Sequence, residues 1–232
     1  MTYVDPRPVE LHTARLVLRP FTLEECPRIA AIANDPRVAD TVLSIAVPYT
    51  LAHAEEFYQR HDTWWREGKG FVFAMRLRGC AGNEGIIGFT GLHPKVDWSI
   101  AELGYWLGVD YWNQGYATEA AKALCTWGFA SRGLHRIFAQ HMTKNGASGR
   151  VMEKLGMRYE GLMREHIRKG EEYRDVKVYG VLAREWVIQD AACATALLAT
   201  PTFAFLRSAS AAGRWAGPTG RPRTVRLLAG PR

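Results

Sequence analysis

A chain of 232 residues, 47% hydrophobic and 23% charged, is long enough to bury a core without cross-links and suits one domain with extensions. Its formal charge of +7 is unevenly placed: from Asp190 onward six arginines face one acid, which leaves residues 1–189 with 24 basic and 22 acidic side chains. A strongly basic folded domain is excluded, and nucleic acid is not an expected partner.

The first predicted strand is Ala14–Pro20, where Leu16 and Leu18 alternate with Arg15, Val17 and Arg19. Thr22-Leu-Glu-Glu25 has the form of a capping box and opens a helix that Asp35-Pro36 should break near Asn34. A second helix follows Pro48, with Leu51, Ala54, Tyr58, His61 and Trp65 on one stripe joined by Phe57 and Trp64, and Gly68-Lys-Gly70 ends it. Phe71, Phe73, Met75 and Leu77 alternate along the next strand, which a turn over Gly79–Gly85 joins to Ile86–Leu92 as a hairpin. His93–Trp98 reads as a turn and Ser99–Val109 as a longer strand. A helix over Tyr116–Arg132, a strand over Arg136–Met142 and a helix over Ala147–Leu155 follow. Two strands, Arg158–Ile167 and Tyr173–Arg184, meet at a turn near Gly170. The order β-α-α-β-β-β-α-β-α-β-β implies an α/β (α+β) fold: a mixed, mostly antiparallel sheet with helices on both faces.

After Gln189 the composition shifts to eleven alanines, four glycines, four prolines and scattered arginines, so residues 1–189 are expected to form the domain and 190–232 a disordered extension. The four cysteines (Cys26, Cys80, Cys125, Cys193) show no paired spacing, which argues against structural zinc and for reduced thiols in the cytoplasm. The N-terminus lacks the apolar run of a secretory signal, and the longest weakly polar run, Ala191–Leu206, is short for a membrane span. No membrane partner is expected, and the chain is expected to be a monomer or homodimer.

The chemistry concentrates in Leu103–Ala120, a strand, a short turn and a helix whose first turn holds Gly115, Tyr116, Ala117 and Thr118. A helix N-terminus presents unpaired amides and the positive end of its dipole, and Gly115 lets a backbone approach closely, which suits a pyrophosphate. Taken alone, the tripeptide is a weak signal that ordinary helix–strand packing explains better. Glu102 lies mid-strand on the face of Ile100 and Trp106, placed either to pair with an arginine or to act as a general base. Ser148 begins a helix after Asn145 and serves either as an acid or as an N-cap. His135, His141 and Cys125 read as structural. Glu165, His166 and Asp175 flank the last hairpin as alternative bases or a solvated edge, and Tyr173, Tyr179 and Trp106 read as core or cleft lining.

Arg15-Leu-Val-Leu-Arg-Pro20, Glu102-Leu-Gly-Tyr-Trp106, Trp112-Asn-Gln-Gly-Tyr-Ala-Thr-Glu-Ala120 and Asn145…Ser148…Glu153-Lys-Leu-Gly156 together resemble the GCN5-related N-acetyltransferase (GNAT) superfamily, over roughly residues 10–186. The resemblance is closest to its RimJ/RimL-like branch, which acetylates ribosomal-protein N-termini. It implies acetyl-CoA as acyl donor, no metal, and a primary amine as acceptor. That acceptor is a protein or peptide α-amine or, alternatively, a small molecule such as an aminoglycoside, polyamine or amino-acid derivative. A non-catalytic acyl-CoA-binding module is a further alternative. By the same resemblance, Gln114, Gly115, Tyr116, Ala117 and Thr118 contact the pyrophosphate, with Trp112 standing where the family pattern has Gln or Arg. Leu107, Gly108, Val109 and Asn145 hold the pantetheine arm, and Ser148 donates to the leaving sulfur. Arg150 and Lys154 are available to CoA's phosphates.

Overall fold

The computed structural model describes residues 9–45, 47–80, 82–95 and 98–186; the 190–232 extension expected from composition lies outside them. Its elements in chain order are β1 (Leu11–His12), β2 (Leu16–Arg19), α1 (Cys26–Ala33), α2 (Pro36–Thr41), α3 (Leu51–Glu67), β3 (Phe71–Leu77), β4 (Ile86–Lys95), β5 (Ile100–Leu107), α4 (Tyr116–Arg132), β6 (Arg136–Met142), α5 (Gly146–Lys154), β7 (Arg158–Lys169) and β8 (Glu172–Leu182). The strands form one eight-stranded sheet in the order β1-β2-β3-β4-β5-β6-β8-β7, in which β5 and β6 run parallel and the other neighbours antiparallel. The mixed, mostly antiparallel architecture expected from the element order is the one observed.

Strand β3 shows why both faces are covered. Its residues are buried on either side of the pleat: Phe71, Phe73 and Met75 join Leu16, Leu18, Leu124 and Ile137 in one apolar cluster, while Val72 and Ala74 join Cys26, Ile29, Ala54 and Phe89 in another. Helices α4 and α5 cover the first face, α1 and α3 the second. No helix among the described residues is long and apolar enough to cross a membrane.

Three local expectations change. Asp35-Pro36 ends α1 but also starts α2, because the Asp35 carboxylate accepts the Arg37 amide at 2.8 Å and Pro36 supplies a preset first helical residue. The short strand β1 pairs Leu11 with Leu18 ahead of the predicted first strand. His93 is not in a turn: β4 runs on to Lys95, and His93 lies opposite Glu102 in the ladder with β5.

The feature that positions the site is a gap in the sheet. β5 pairs with β6 only over Ile100–Glu102 against Arg136–Phe138. Beyond that point β5 stays with β4 as far as Leu107, while β6 stays with β8 as far as Met142. The two strands part company, and neither has a neighbour on the inner side.

Candidate active site

A cleft of about 1060 Å³ fills this gap and continues through it from one face of the sheet to the other. Alternation along β5 explains the passage: Glu102, Gly104 and Trp106 line it from the α1/α3 face, and Leu103 and Tyr105 from the α4/α5 face. The two faces of the sheet are therefore connected at the level of β5.

On the α4 side the wall is the start of α4. Gly115 occupies the N-cap with φ of +83°, a left-handed conformation that favours glycine, and no side chain caps the helix. The first intrahelical bond is made by the Glu119 amide to the Gly115 carbonyl at 3.1 Å. The amides of Tyr116, Ala117 and Thr118 thus precede the helical ladder and stand at the cleft with the positive end of the dipole. The turn is braced from outside. The Glu119 carboxylate accepts the Thr13 hydroxyl at 2.6 Å, the Arg15 amide at 2.8 Å and the Arg15 guanidinium at 2.7 Å. Arg15 also donates to the Gln114 carbonyl at 2.9 Å and lies 4.4 Å from the centre of the Tyr116 ring. Burial opposes the charge on Glu119, but the hydrogen bonds from Thr13 and Arg15 outweigh it and hold the carboxyl below its ordinary 4.5. A carboxylate with a depressed folded value stabilises the fold above its unfolded value and loses that contribution as pH falls through the folded one. Urea midpoints measured on acidification below pH 4.5 should therefore fall less steeply for Glu119→Gln than for the unaltered protein.

The end of β5 supplies backbone groups. The Gly108 amide donates to the Ile87 carbonyl at 2.9 Å, so the alternation of an antiparallel ladder turns the peptide groups of Leu107 and Tyr105 the other way, toward the gap. Trp112 donates its indole N–H to the Leu107 carbonyl at 2.8 Å and fixes this end of the strand. Of the three residues expected to hold a pantetheine arm here, Leu107 lines the cleft, whereas the Gly108 amide is engaged by Ile87 and the Val109 carbonyl by the Trp112 amide at 3.1 Å. Gln114 lies apart from the lining; its carboxamide donates to the Asp110 carbonyl at 2.8 Å.

Asn145 is the N-cap of α5: its Oδ1 accepts the Ser148 amide at 3.2 Å, and its Nδ2 donates to the Thr41 carbonyl at 3.4 Å. Ser148 is therefore not the cap, and its hydroxyl is released for another contact. The Tyr105 Oη lies 2.9 Å from both the Ser148 carbonyl and the Ser148 Oγ. Burial pushes the Tyr105 phenol up, so it stays protonated at neutral pH despite the Ser148 contact. Sequence reasoning passed over Tyr105; its place three residues after Glu102 puts it on the opposite face, the one signal available.

On the other face Glu102 Oε1 accepts the Gln140 carboxamide at 2.7 Å, and His93 is its cross-strand neighbour. Burial holds the His93 imidazole below its ordinary 6.5, against the pull of the Glu102 carboxylate. Arg150 and Lys154 line the cleft from α5. Above it, residues 41–44 form a strap. Lys169 from β7 donates to the Ala39 and Val42 carbonyls, and Lys144 pairs with Asp40.

Residues 15–158 match the family described as acetyltransferase (GNAT) domain. The chain belongs to the GNAT acetyltransferases. This acetyltransferase is 30% identical over 178 residues to the uncharacterized N-acetyltransferase YnaD of Bacillus subtilis, covering 77% of its own length and 99% of the relative's. It is 27% identical over 121 residues to the ribosomal protein uS5 alanine N-acetyltransferase of Escherichia coli, covering 52% and 62% respectively. Among solved structures, Mycobacterium smegmatis RimJ in complex with CoA-disulfide shares its fold, with a TM-score of 0.71, 21% identity, and 83% and 95% of the two chains covered.

The weaker candidates fall outside the cleft or into the packing of the acetyltransferase. Asp175 accepts the Glu165 amide at 2.8 Å and stabilises an irregularity in β7, where Glu165 and His166 are exposed. Tyr173 is exposed, and Cys125 is buried within α4. His141 is buried, makes a 2.8 Å contact between Nδ1 and the Met142 carbonyl, and packs 5.7 Å from the Tyr179 ring. His135 is exposed ahead of β6.

Proposed function

We propose that this protein transfers the acetyl group of acetyl-CoA to the α-amine of a peptide or protein in a ternary complex, without a covalent enzyme intermediate. The observation that carries the reading is the cleft through the sheet, with an uncapped helix N-terminus toward one face and a hydrogen-bonded carboxylate on the other. The fit to the acyl donor rests on this chain's own groups. Tyr116, Ala117 and Thr118 offer amides for a pyrophosphate, and the peptide groups of Tyr105 face the gap for an amide-bearing arm. Arg150 and Lys154 supply nearby positive charge. Kinship with the uS5 alanine N-acetyltransferase supports an α-amine as acceptor.

In the reaction the amine nitrogen attacks the thioester carbon, the new C–N bond forms, and the carbonyl electrons move to oxygen. Collapse breaks the C–S bond and expels the thiolate. Glu102 takes the proton that the nitrogen loses, directly or through one water. The Leu107 amide stabilises the oxyanion. The Ser148 hydroxyl, hydrogen-bonded to Tyr105, protonates the thiolate and is restored through solvent as Glu102 releases the proton it took. Holding both reactants at β5 provides much of the rate. Thiol release from acetyl-CoA on adding a panel of peptides with free N-termini tests the reading; release only with non-peptide amines overturns the acceptor, and none with any amine overturns the activity.

Ser148→Ala is expected to lower kcat by about 10²-fold with little change in the KM for acetyl-CoA, because the hydroxyl matters only as sulfur departs. Tyr105→Phe should have a smaller effect of the same kind. Initial rates of thiol release with both substrates varied measure both.

A further inference from the structure

The acceptor half of the cleft has a specific chemistry. Phe57, Arg60, His61 and Trp64 fall on one stripe of α3, and His93 faces them from β4. Ring centres lie 4.2 Å apart for Phe57 and His61, 5.1 Å for His61 and Trp64, and 5.7 Å for Trp64 and His93. Successive pairs are edge-to-face, which makes a rigid wall with aromatic edges and faces toward the cleft. Burial pushes the His61 imidazole down to about 3 and lowers that of His93 as well, so at neutral pH the wall carries no positive charge from histidine.

Charge in this half is sparse and paired in sign. Glu102 is the one carboxylate among the described residues that line the cleft. The Arg60 guanidinium carbon lies 5.9 Å from the Phe57 ring centre and 5.7 Å from that of Trp64, so the cation spans both rings at the exposed rim. Arg60 makes no ion pair among the described residues, which leaves its planar fork open to a carboxylate. A polycation would bring several ammonium groups to one carboxylate and press the others against Arg60.

Building on the transferase reading above, we infer that the acceptor is an α-amine bearing a flat apolar side chain and a carboxylate within about one residue, and that Arg60 and the His61–Trp64–His93 wall select it. The amine faces Glu102, the side chain lies on the aromatic wall, and the carboxylate meets Arg60. That carboxylate has two possible sources, the free acid of an amino acid or an acidic second residue of a protein N-terminus.

The test uses the full 232-residue chain. Calorimetric titration of the CoA-loaded protein is run beside thiol-release kinetics for phenylalanine, phenylalaninamide, Phe-Asp-amide, Phe-Ala-amide, Ala-Asp-amide, spermidine and an aminoglycoside. The aromatic acceptors with a carboxylate are expected to exceed their carboxylate-free counterparts and the alanine peptide by about tenfold in affinity and kcat/KM. Preference for phenylalanine or for Phe-Asp-amide identifies the source. Arg60→Ala should reduce the carboxylate preference to less than about twofold, and Arg60→Lys should restore part of it. Melting temperatures confirm that both variants are folded. Faster transfer to spermidine or the aminoglycoside, or an unchanged carboxylate preference in Arg60→Ala, overturns the inference and leaves the transferase reading standing. Binding of the aromatic acids without thiol release upholds the ligand selectivity of Arg60 and the wall and overturns the transferase reading. Absence of both binding and release overturns the two together.

Discussion

Glu102→Gln is expected to lower kcat/KM by about 10²- to 10⁴-fold while CoA affinity stays unchanged. The substitution removes the proton-accepting oxygen and keeps the shape, and the new carboxamide still offers an oxygen to Gln140, which donates to Glu102 at 2.7 Å. The loss should fall on the step in which the amine sheds its proton, so it should appear in kcat as well as in kcat/KM. Single-turnover measurements with CoA binding followed in parallel separate this from a damaged cleft. Activity within about threefold of the unaltered enzyme would remove the proton-accepting role from Glu102, since general-base contributions are far larger than that. His93, across the ladder from Glu102 and held neutral by burial, would then be the next group to substitute.

The largest effect on stability is expected at Gly88→Ala. Gly88 lies opposite Leu107 in the ladder between β4 and β5, and an added Cβ would stand 2.2 Å from the Trp106 carbonyl oxygen and 2.8 Å from the Leu107 Cα. Both neighbours are backbone, so relief requires the strands to separate at the place that presents Leu107 to the cleft. A loss above about 4 kcal/mol is expected, at the far end of what single substitutions do. Gly104→Ala is the control, because nothing lies within 4 Å of its added Cβ. That variant should keep or gain up to about 1 kcal/mol through a less flexible unfolded chain. Urea unfolding of the two, with CoA affinity measured on whatever remains folded, checks the contrast.

Much of this was legible in the chain itself, and the limits have identifiable causes. Alternation in Phe71–Leu77 marks β3, and the run into Gly115–Thr118 marks the start of α4, because both depend on near neighbours in sequence. Asp35-Pro36 reads as a stop, but the same two residues also satisfy the rules for a start, and only the packing of Val38 and Ala39 decides that a second helix follows. His93–Trp98 reads as a turn, whereas pairing with β5 extends the strand through His93 as far as Lys95. Ser148 and Asn145 each have the chemistry of a helix cap; which one caps depends on whether α5 begins at Gly146 or three residues later. The contact between Tyr105 and Ser148 spans 43 positions and has no local signature. Alternation assigns Glu102 and Tyr105 to opposite faces, but it cannot show that β6 diverges beside them.

That divergence gives the sheet a third edge. β1 and β7 bound it on the outside, and the inner side of β5 past Glu102 is a border within the molecule, carrying peptide groups that a neighbouring strand would normally use. Outer edges invite other proteins to pair with them. This one is enclosed by α4, α5 and the 41–44 strap, so a slender partner with amide groups of its own can dock where a foreign strand cannot. Such a partner would serve as an interim strand, and folding and cosubstrate binding would share the same hydrogen bonds. The melting point of the protein should then track the concentration of CoA present, because whatever completes the sheet also favours the folded state.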